Sequence, residues 1–312
     1  MGEVVVSCSM CLLVGRFREE VSLPFAFQFT AGAIAGISEI LTMYPLDVAK
    51  TRLQLQVGKG GAGQYTSISD VFSKIVKEEG FAALYRGILP PILVEAPKRA
   101  IKFAANEQYG PMYLKWLNKD KMDQSTAILT GVTAGLTEAF IVAEPELVKI
   151  RLQARENAGK YRGTIDCVKK IYAQEGFLAF FNGLEATLWR HAMWNGGYFG
   201  SIFAIRNAMP KAETKKGELG VNFIAGALGG AIGTALNTPA DVVKTRIQNH
   251  LPEHGPMKYK YYLPGVATIL KEEGFTALYK GFLPKVLRLG PGGGVLLVVF
   301  DQVTTFMRNN FM

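Results

Sequence analysis

The chain has 312 residues, 49% of them hydrophobic and 20% charged, with a formal net charge of +9. Its mean hydropathy of +0.14 is too apolar for an ordinary soluble α/β enzyme, yet charges interrupt most of its apolar runs, which excludes a simple membrane anchor. The basic residues form no single stripe and no nucleic-acid motif occurs, so nucleic acid is not an expected partner; anionic lipid or an anionic solute suits the charge better.

Residues 1–23 come first. Glu3, Glu19 and Glu20 interrupt them, which fits neither a secretory signal nor an acid-poor transit peptide. They are expected to form a poorly ordered extension. Cys8 and Cys11 have CxxC spacing, but no second pair follows and the chain holds only three histidines. No metal site and no other cofactor is expected.

A near-continuous apolar run, Ala26 to Met43, follows. About 20 helical residues cross a ~30 Å hydrocarbon core, so this run reads as a first membrane span. It contains Gly32-x-x-x-Gly36, a spacing that lets helices approach closely in lipid. It ends in Pro45-Leu-Asp47-Val-Ala-Lys50-Thr-Arg52-Leu-Gln54. After a polar loop, "DVFSKIVKEEG" has apolar residues at helical spacing and predicts a short amphipathic helix. Glu79-Gly80 and Tyr85-Arg86-Gly87 then open a second apolar segment, Ile88–Tyr109, which carries Glu95, Lys98, Arg99 and Lys102.

The same order recurs twice. The second copy has Gly131-x-x-x-Gly135, then Glu144-Pro145-Glu146-Leu-Val-Lys149-Ile-Arg151-Leu-Gln153. Next come "DCVKKIYAQEG", Phe181-Asn182-Gly183 and the apolar segment Ala186–Ile205 with Arg190 and His191. The third has Gly226-x-x-x-Gly230, Pro239-Ala-Asp241-Val-Val-Lys244-Thr-Arg246-Ile-Gln248, Tyr279-Lys280-Gly281 and the segment Lys285–Phe306 with Arg288. Two linked motifs in the same order three times divide the chain into repeats at 24–118, 119–213 and 214–312. Two spans per repeat predict an all-α membrane protein of six transmembrane helices, with both termini on one side.

A proline within a helix removes a hydrogen bond and kinks it. Three kinks at equal depth would bring the lower ends of the three first helices together on one axis. Asp47, Glu146 and Asp241 could then meet Lys50, Lys149 and Lys244 of neighbouring repeats and close a ring. Each pair alone could equally be an i,i+3 surface pair on a soluble helix; the threefold recurrence beside spanning stretches argues for the ring. In the second copy Glu144 stands where the proline is expected and Pro145 follows one residue later.

This pattern resembles the mitochondrial carrier family, over residues 25 to 308 or so, through two full copies of P-x-[DE]-x-x-[KR]-x-[KR] and a third, in the second repeat, with Glu144 in the proline's place. The resemblance implies a pseudo-threefold barrel in the mitochondrial inner membrane, with both termini toward the intermembrane space and a monomeric, alternating-access transport cycle. It implies that Gln54, Gln153 and Gln248 brace the ring on the matrix side. On the cytoplasmic side the family's [FY]-[DE]-x-x-[KR] pattern is only partly kept: Glu107, Arg206 and Asp301 remain, so a weaker second gate is expected. It also implies headgroup binding, of the cardiolipin type, at Gly87, Gly163, Gly183 and Gly281, where backbone N–H groups at helix starts attract phosphate.

Seven and eight residues beyond Gly87, Gly183 and Gly281 lie Val94/Glu95, Arg190/His191 and Arg288/Leu289, the levels that meet the solute in the family. An intramembrane arginine is a functional candidate by default, and its planar fork suits a carboxylate. Candidate solute contacts are Arg190, His191, Arg288, Glu95, Lys98, Arg99 and Lys102, with Arg190 alternatively paired to an acid such as Glu138. Glu39 and Glu138 occupy equivalent places and could hold a cavity lysine or a proton. These residues point to an anionic, dicarboxylic solute. "LPPILVEAPKRAIKF" and "LRLGPGGGVLLVVF" resemble the branch of the family that carries 2-oxodicarboxylates such as 2-oxoadipate and 2-oxoglutarate. A carrier of citrate, malate or phosphate, a proton-leak carrier and a soluble helical repeat protein are the alternatives. No nucleophile–base pair, P-loop or dinucleotide fingerprint suggests an enzyme.

Overall fold

In a computed structural model of the chain, residues 25–58, 64–209 and 215–311 are described; the extension 1–23, with Cys8 and Cys11, lies outside them. Each repeat has one layout. The long first helices are α1 (Phe25–Leu55), α4 (Gln124–Gln153) and α7 (Lys215–Asn249). The short helices are α2 (Ile68–Glu78), α5 (Thr164–Glu175) and α8 (Tyr262–Glu273). A turn of 3₁₀ helix follows each, over Phe81–Tyr85, Phe177–Phe181 and Phe275–Tyr279. The long second helices are α3 (Leu89–Trp116), α6 (Leu184–Ala208) and α9 (Phe282–Phe311).

The six long helices pack in a closed ring in the order α1, α3, α4, α6, α7, α9 and back to α1. By length and apolarity alone, only two stretches of the described residues qualify as spans, Phe27–Leu55 and Phe275–Asn310. A third qualifies if the bent α4 counts as one. α3 and α6 carry ionic groups within their apolar stretches, among them Glu95, Lys98, Arg99 and Arg190, and a charge in a spanning helix must face protein or water rather than lipid.

Pro45, Pro145 and Pro239 all lie within helices. Their effect is not equal, contrary to the expectation of three matched kinks. α1 continues through Pro45 as one span from Phe27 to Leu55, whereas α4 bends by 60° between Phe140 and Val142. That break lies three to five residues before Pro145, where the missing N–H frees a carbonyl.

Each amphipathic helix is tied to the lower end of its own first helix by apolar residues one turn apart. Val71 and Ile75 pack with Tyr44, Val48 and Leu84. Cys167 and Ile171 pack with Leu147, Val148 and Phe180. Ile269 packs with Val243, Ile247 and Leu278. Burying one such isoleucine contributes about 1.5–3 kcal/mol. At the other end, Ala127, Tyr198, Phe199, Ile202 and Ala225 join α4, α6 and α7.

Small residues set the helix spacing, though not always those of the expected motif. A Cβ on Gly131 would run into Phe199, and one on Gly135 into Asn195. In the third repeat Gly226 and Gly230 have no neighbour closer than 3.8 Å. The close approach there is made by Gly233, whose Cβ would lie 3.0 Å from the Trp194 carbonyl. The α6–α7 contact thus sits one turn lower than the Gly226–Gly230 spacing suggests.

Candidate functional site: an ion-pair ring beneath three half-buried cations

The three first helices meet one another at their proline-bearing ends. There Lys149 on α4 bonds Asp47 on α1 at 2.7 Å. Lys50 on α1 bonds Asp241 on α7 at 2.5 Å. Lys244 on α7 bonds Glu146 on α4. The three pairs form one cycle through all three repeats.

The glutamines one turn further on differ from one another. Gln54 donates to Asp241 Oδ2 at 3.2 Å and accepts from Thr245 Oγ1 at 2.9 Å. Gln153 accepts from Thr51 Oγ1 at 2.7 Å. Gln248 donates to the Ala143 carbonyl at 3.3 Å. Only Gln54 is bonded to a ring carboxylate in these contacts. Glu146, which Gln248 would have braced, has its carboxylate drawn toward Arg190.

A second tier below the ring escaped sequence reading, although the second base of each motif is its signal. Arg52 pairs with Glu79 at 2.8 Å, Arg151 with Glu175 and Arg246 with Glu273. Arg151 also donates to the carbonyls of Gln248 and His250 in the next repeat, at 3.2 and 2.9 Å. Arg246 does the same to Gln54 and Gln56, at 3.1 and 3.2 Å. Guanidinium groups at these C-terminal carbonyls favourably meet the negative end of each helix dipole. Burial pushes the neighbouring Cys167 thiol up to about 12. Burial also opposes ionisation of Glu273, but its bonds to Arg246 and Lys280 prevail and hold its carboxyl down at about 2.

Gly87, Gly183 and Gly281 lie one or two residues before the second helices in the left-handed region, with φ of 78°, 80° and 79°. Each is pressed onto the first helix of the next repeat. A Cβ on Gly87 would lie 3.0 Å from Leu152, one on Gly183 3.0 Å from Gln248, and one on Gly281 2.9 Å from Gln54. These contacts make the three glycines joints between repeats at ring level. Gly163, at the start of α5, has nothing within 4 Å of such an atom.

The candidate solute-contacting residues are not free in this state. Arg288 donates to Asp47 Oδ1 at 2.5 Å and to Glu39 Oε1 at 3.0 Å. Arg190 donates to both Glu146 oxygens, at 3.3 and 3.2 Å, and lies 2.7 Å from His191 Nε2. Its Nε, 3.8 Å from Asp241, is buried without a hydrogen bond. The acid that pairs with Arg190 is therefore Glu146 rather than Glu138, which faces Lys102 at 3.7 Å. Glu95 is bonded by its own helix neighbours Lys98 and Arg99, at 2.5 and 2.6 Å. It presses on α1 at Gly36, whereas Val94 turns to the outer surface with Leu93 and Pro145.

Lys285 on α9 was not singled out from sequence. It bonds Asn237 and, at 3.2 Å, Asp241. Six cations at this level (Lys50, Lys149, Lys244, Arg190, Lys285 and Arg288) stand against the four carboxylates of Asp47, Glu146, Asp241 and Glu39. The excess is two positive charges.

At the opposite end Glu107 and Asp301 are exposed and Arg206 is half-buried. No grouping of histidine, cysteine, aspartate and glutamate with metal-binding geometry occurs among the described residues.

Comparison with known proteins agrees with this architecture. The family model described as mitochondrial carrier protein matches residues 21–115, 121–213 and 215–311. Among curated relatives, the mitochondrial citrate transporter D of Aspergillus niger is 61% identical, covering 92% of this chain and 96% of its own length. The mitochondrial 2-oxodicarboxylate carrier 1 of Saccharomyces cerevisiae is 53% identical over 92% and 95% of the two chains. The human mitochondrial 2-oxodicarboxylate carrier is 41% identical over 94% and 99%. With three matched repeats spanning nearly its whole length, the chain belongs to the mitochondrial carrier family, the multi-pass solute transporters of the mitochondrial inner membrane.

Proposed function

We propose that the protein is an alternating-access antiporter that exchanges 2-oxodicarboxylates, 2-oxoglutarate and 2-oxoadipate among them. The observation that carries this reading is the excess of two positive charges beside the ring, held by residues from two second helices. A dianion with carboxylates at both ends neutralises that excess and spans Arg190 and Arg288. Relatives named for 2-oxodicarboxylates support the solute class.

The cycle follows from the bonding. Asp47 and Glu146 each share their charge between a ring lysine and an arginine. Solute carboxylates compete for Arg288 and Arg190 and so remove half of what holds each acid. The pairs are partly hydrated, and such pairs contribute only about 0–1 kcal/mol each, so solute binding can shift the balance between two gate states. In this reading Asp47, Lys50, Glu146, Lys149, Asp241 and Lys244 form the matrix gate, while Gln54, Gln153 and Gln248 support it. Glu107, Arg206 and Asp301 belong to the cytoplasmic gate. His191 orients Arg190, and Lys98, Arg99 and Lys102 line the entry, with Glu95 holding the first two. The termini face the intermembrane space and the unit is a monomer of three repeats at 24–118, 119–213 and 214–312.

Cardiolipin-type headgroups are proposed at the helix starts marked by Gly87, Gly163, Gly183 and Gly281. Gly163 leaves α5 without a side-chain cap. Next to it, an apolar groove of about 600 Å³ is lined by Pro90, Leu93, Pro145, Val148, Tyr172 and Phe180 and suits acyl chains. At the start of α8, however, the Glu185 carboxylate already accepts from Tyr262 N at 2.7 Å.

A panel of labelled anions exchanged by purified protein in liposomes tests the solute. Fast exchange of 2-oxoglutarate and 2-oxoadipate, abolished in Arg288→Ala, is expected; 2-oxoglutarate uptake retained in Arg288→Ala removes that residue from the site. A second reading, a tricarboxylate carrier, is favoured by the 61% identity to a citrate transporter. Faster exchange of citrate than of either 2-oxodicarboxylate would select it.

A further inference from the structure

Each ring carboxylate has at least one cation that does not come from the ring, and Asp241 also lies 3.8 Å from Arg190. Arg288 stands on Asp47, Arg190 on Glu146 and Lys285 on Asp241. The ring lysines belong to first helices; these three cations belong to second helices, α6 and α9. Lys285 lies one turn before Arg288, so the two side chains leave α9 on the same face. It is therefore the third member of a set whose other two members are the proposed solute contacts.

Asp241 has partners enough without it. Lys50 bonds Asp241 at 2.5 Å and Gln54 donates to it at 3.2 Å. Lys285 is also not sealed in the ring. Its side chain keeps 16% exposure, close to the 18% of Arg190, as do the ring's Lys149 at 18% and Lys50 at 22%, so it can be reached from the interior. An ammonium group has three N–H donors. Asn237 and Asp241 take two of them, and one remains for an incoming acceptor. A lysine in a spanning helix is costly unless it serves a polar interior, and its pairing with Asp241 keeps it satisfied between transport events.

We propose that Lys285 is a third solute-contacting cation, held by Asn237 and Asp241 when no solute is bound, and that it sets the charge a solute must carry. It takes a carboxylate or 2-oxo oxygen of the dianion that Arg190 and Arg288 hold. This deepens the 2-oxodicarboxylate reading and rests on it. Replacing Lys285 by a neutral side chain lowers the local excess from two positive charges to one, so discrimination between dianions and monoanions must fall.

The test uses full-length protein in liposomes, as wild type, Lys285→Gln and Lys285→Arg, with initial exchange rates of 2-oxoglutarate and of the monoanion 2-oxopentanoate. Lys285→Gln is expected to raise KM for 2-oxoglutarate by about tenfold or more and to reduce dianion-over-monoanion preference by a similar factor. Lys285→Arg keeps both within about threefold. Asn237→Ala, which removes one competitor for the Lys285 ammonium, shifts KM for 2-oxoglutarate in the opposite direction, downward, by a smaller factor. Wild-type KM and wild-type preference in Lys285→Gln, with only a lowered thermal midpoint, would make Lys285 a strut for Asp241 and overturn the proposal. The same holds if Lys285→Gln fails to fold and Asn237→Ala leaves KM unchanged. Wild-type protein that exchanges a different dianion but not 2-oxoglutarate overturns the solute reading alone, and Lys285 is then judged on that dianion. Protein that moves no dianion overturns both.

Discussion

Removing a ring acid and removing its ring lysine should not cost the same. Asp47 accepts from Lys149 through Oδ2 at 2.7 Å and from Arg288 through Oδ1 at 2.5 Å. Asp47→Asn therefore strands Lys149 and leaves Arg288 held by Glu39 alone. Lys149→Gln leaves Asp47 still paired with Arg288. Stranding one member of a fully buried pair costs about 3–5 kcal/mol. The side chains here keep 13% and 18% exposure, so hydration lowers the figure for Asp47→Asn to roughly 2–3 kcal/mol. For Lys149→Gln, where one pair of two is lost, about 1 kcal/mol is expected. With an unfolding entropy of about 2 cal/mol/K per residue, these figures correspond to midpoint drops of roughly 3–5 °C and 1–2 °C. Thermal unfolding of the two variants in one detergent measures the difference. A Lys149→Gln midpoint as low as that of Asp47→Asn would refute the doubly shared acid, and with it the competition by which solute is proposed to loosen the ring.

Three further outcomes follow from the tier below the ring and from the joints between repeats. Gly281→Ala places a Cβ at a φ of 79° and 2.9 Å from Gln54 Cγ; the backbone strain alone costs about 1–2 kcal/mol, so a lower thermal midpoint than wild type is expected, and an unchanged one would deny the joint. The Cys167 thiol, pushed up to about 12 by burial, leaves thiolate on the order of 10⁻⁴ at pH 8; with Cys8 and Cys11 replaced by serine, native protein should resist iodoacetamide until denatured, and rapid native labelling would contradict the packing of α5. The Glu273 carboxyl is held at about 2 in the folded chain, below its ordinary 4.5; a lowered carboxyl stabilises the fold above the unfolded value and loses that contribution as pH falls from 4.5 toward 2. Glu273→Gln should therefore flatten the stability profile within that window, and an unaltered acid transition would count against the Arg246–Glu273–Lys280 cluster.

The ring was legible in the sequence because it depends on spacing alone. Asp47 and Lys50, Glu146 and Lys149, and Asp241 and Lys244 keep one interval in all three repeats, and threefold closure gives each acid a lysine from a neighbour. Partners reached by long side chains were not legible in that way. Spacing places Arg190 and Arg288 on the inner face, but it does not decide between Glu138 and Glu146, or between the interior and Asp47, as their resting contact. Lys285 was hidden by its place in the first turn of α9, where it looked like the polar start of a span. Gln153 and Gln248 repeat the motif of Gln54, yet they reach Thr51 and the Ala143 carbonyl, because the 60° bend in α4 and the Glu146–Arg190 contact break the symmetry locally. The close approach at Gly233 was missed for a similar reason: several glycine spacings coexist in α7, and only tertiary packing selects among them.

The most direct measurement of the central claim is uptake of labelled 2-oxoglutarate by purified protein in liposomes, with and without 2-oxoglutarate inside. A ring that stays shut until a dianion draws Arg190 and Arg288 off Glu146 and Asp47 predicts rapid uptake into loaded vesicles and almost none into empty ones. Equal uptake into both would contradict it.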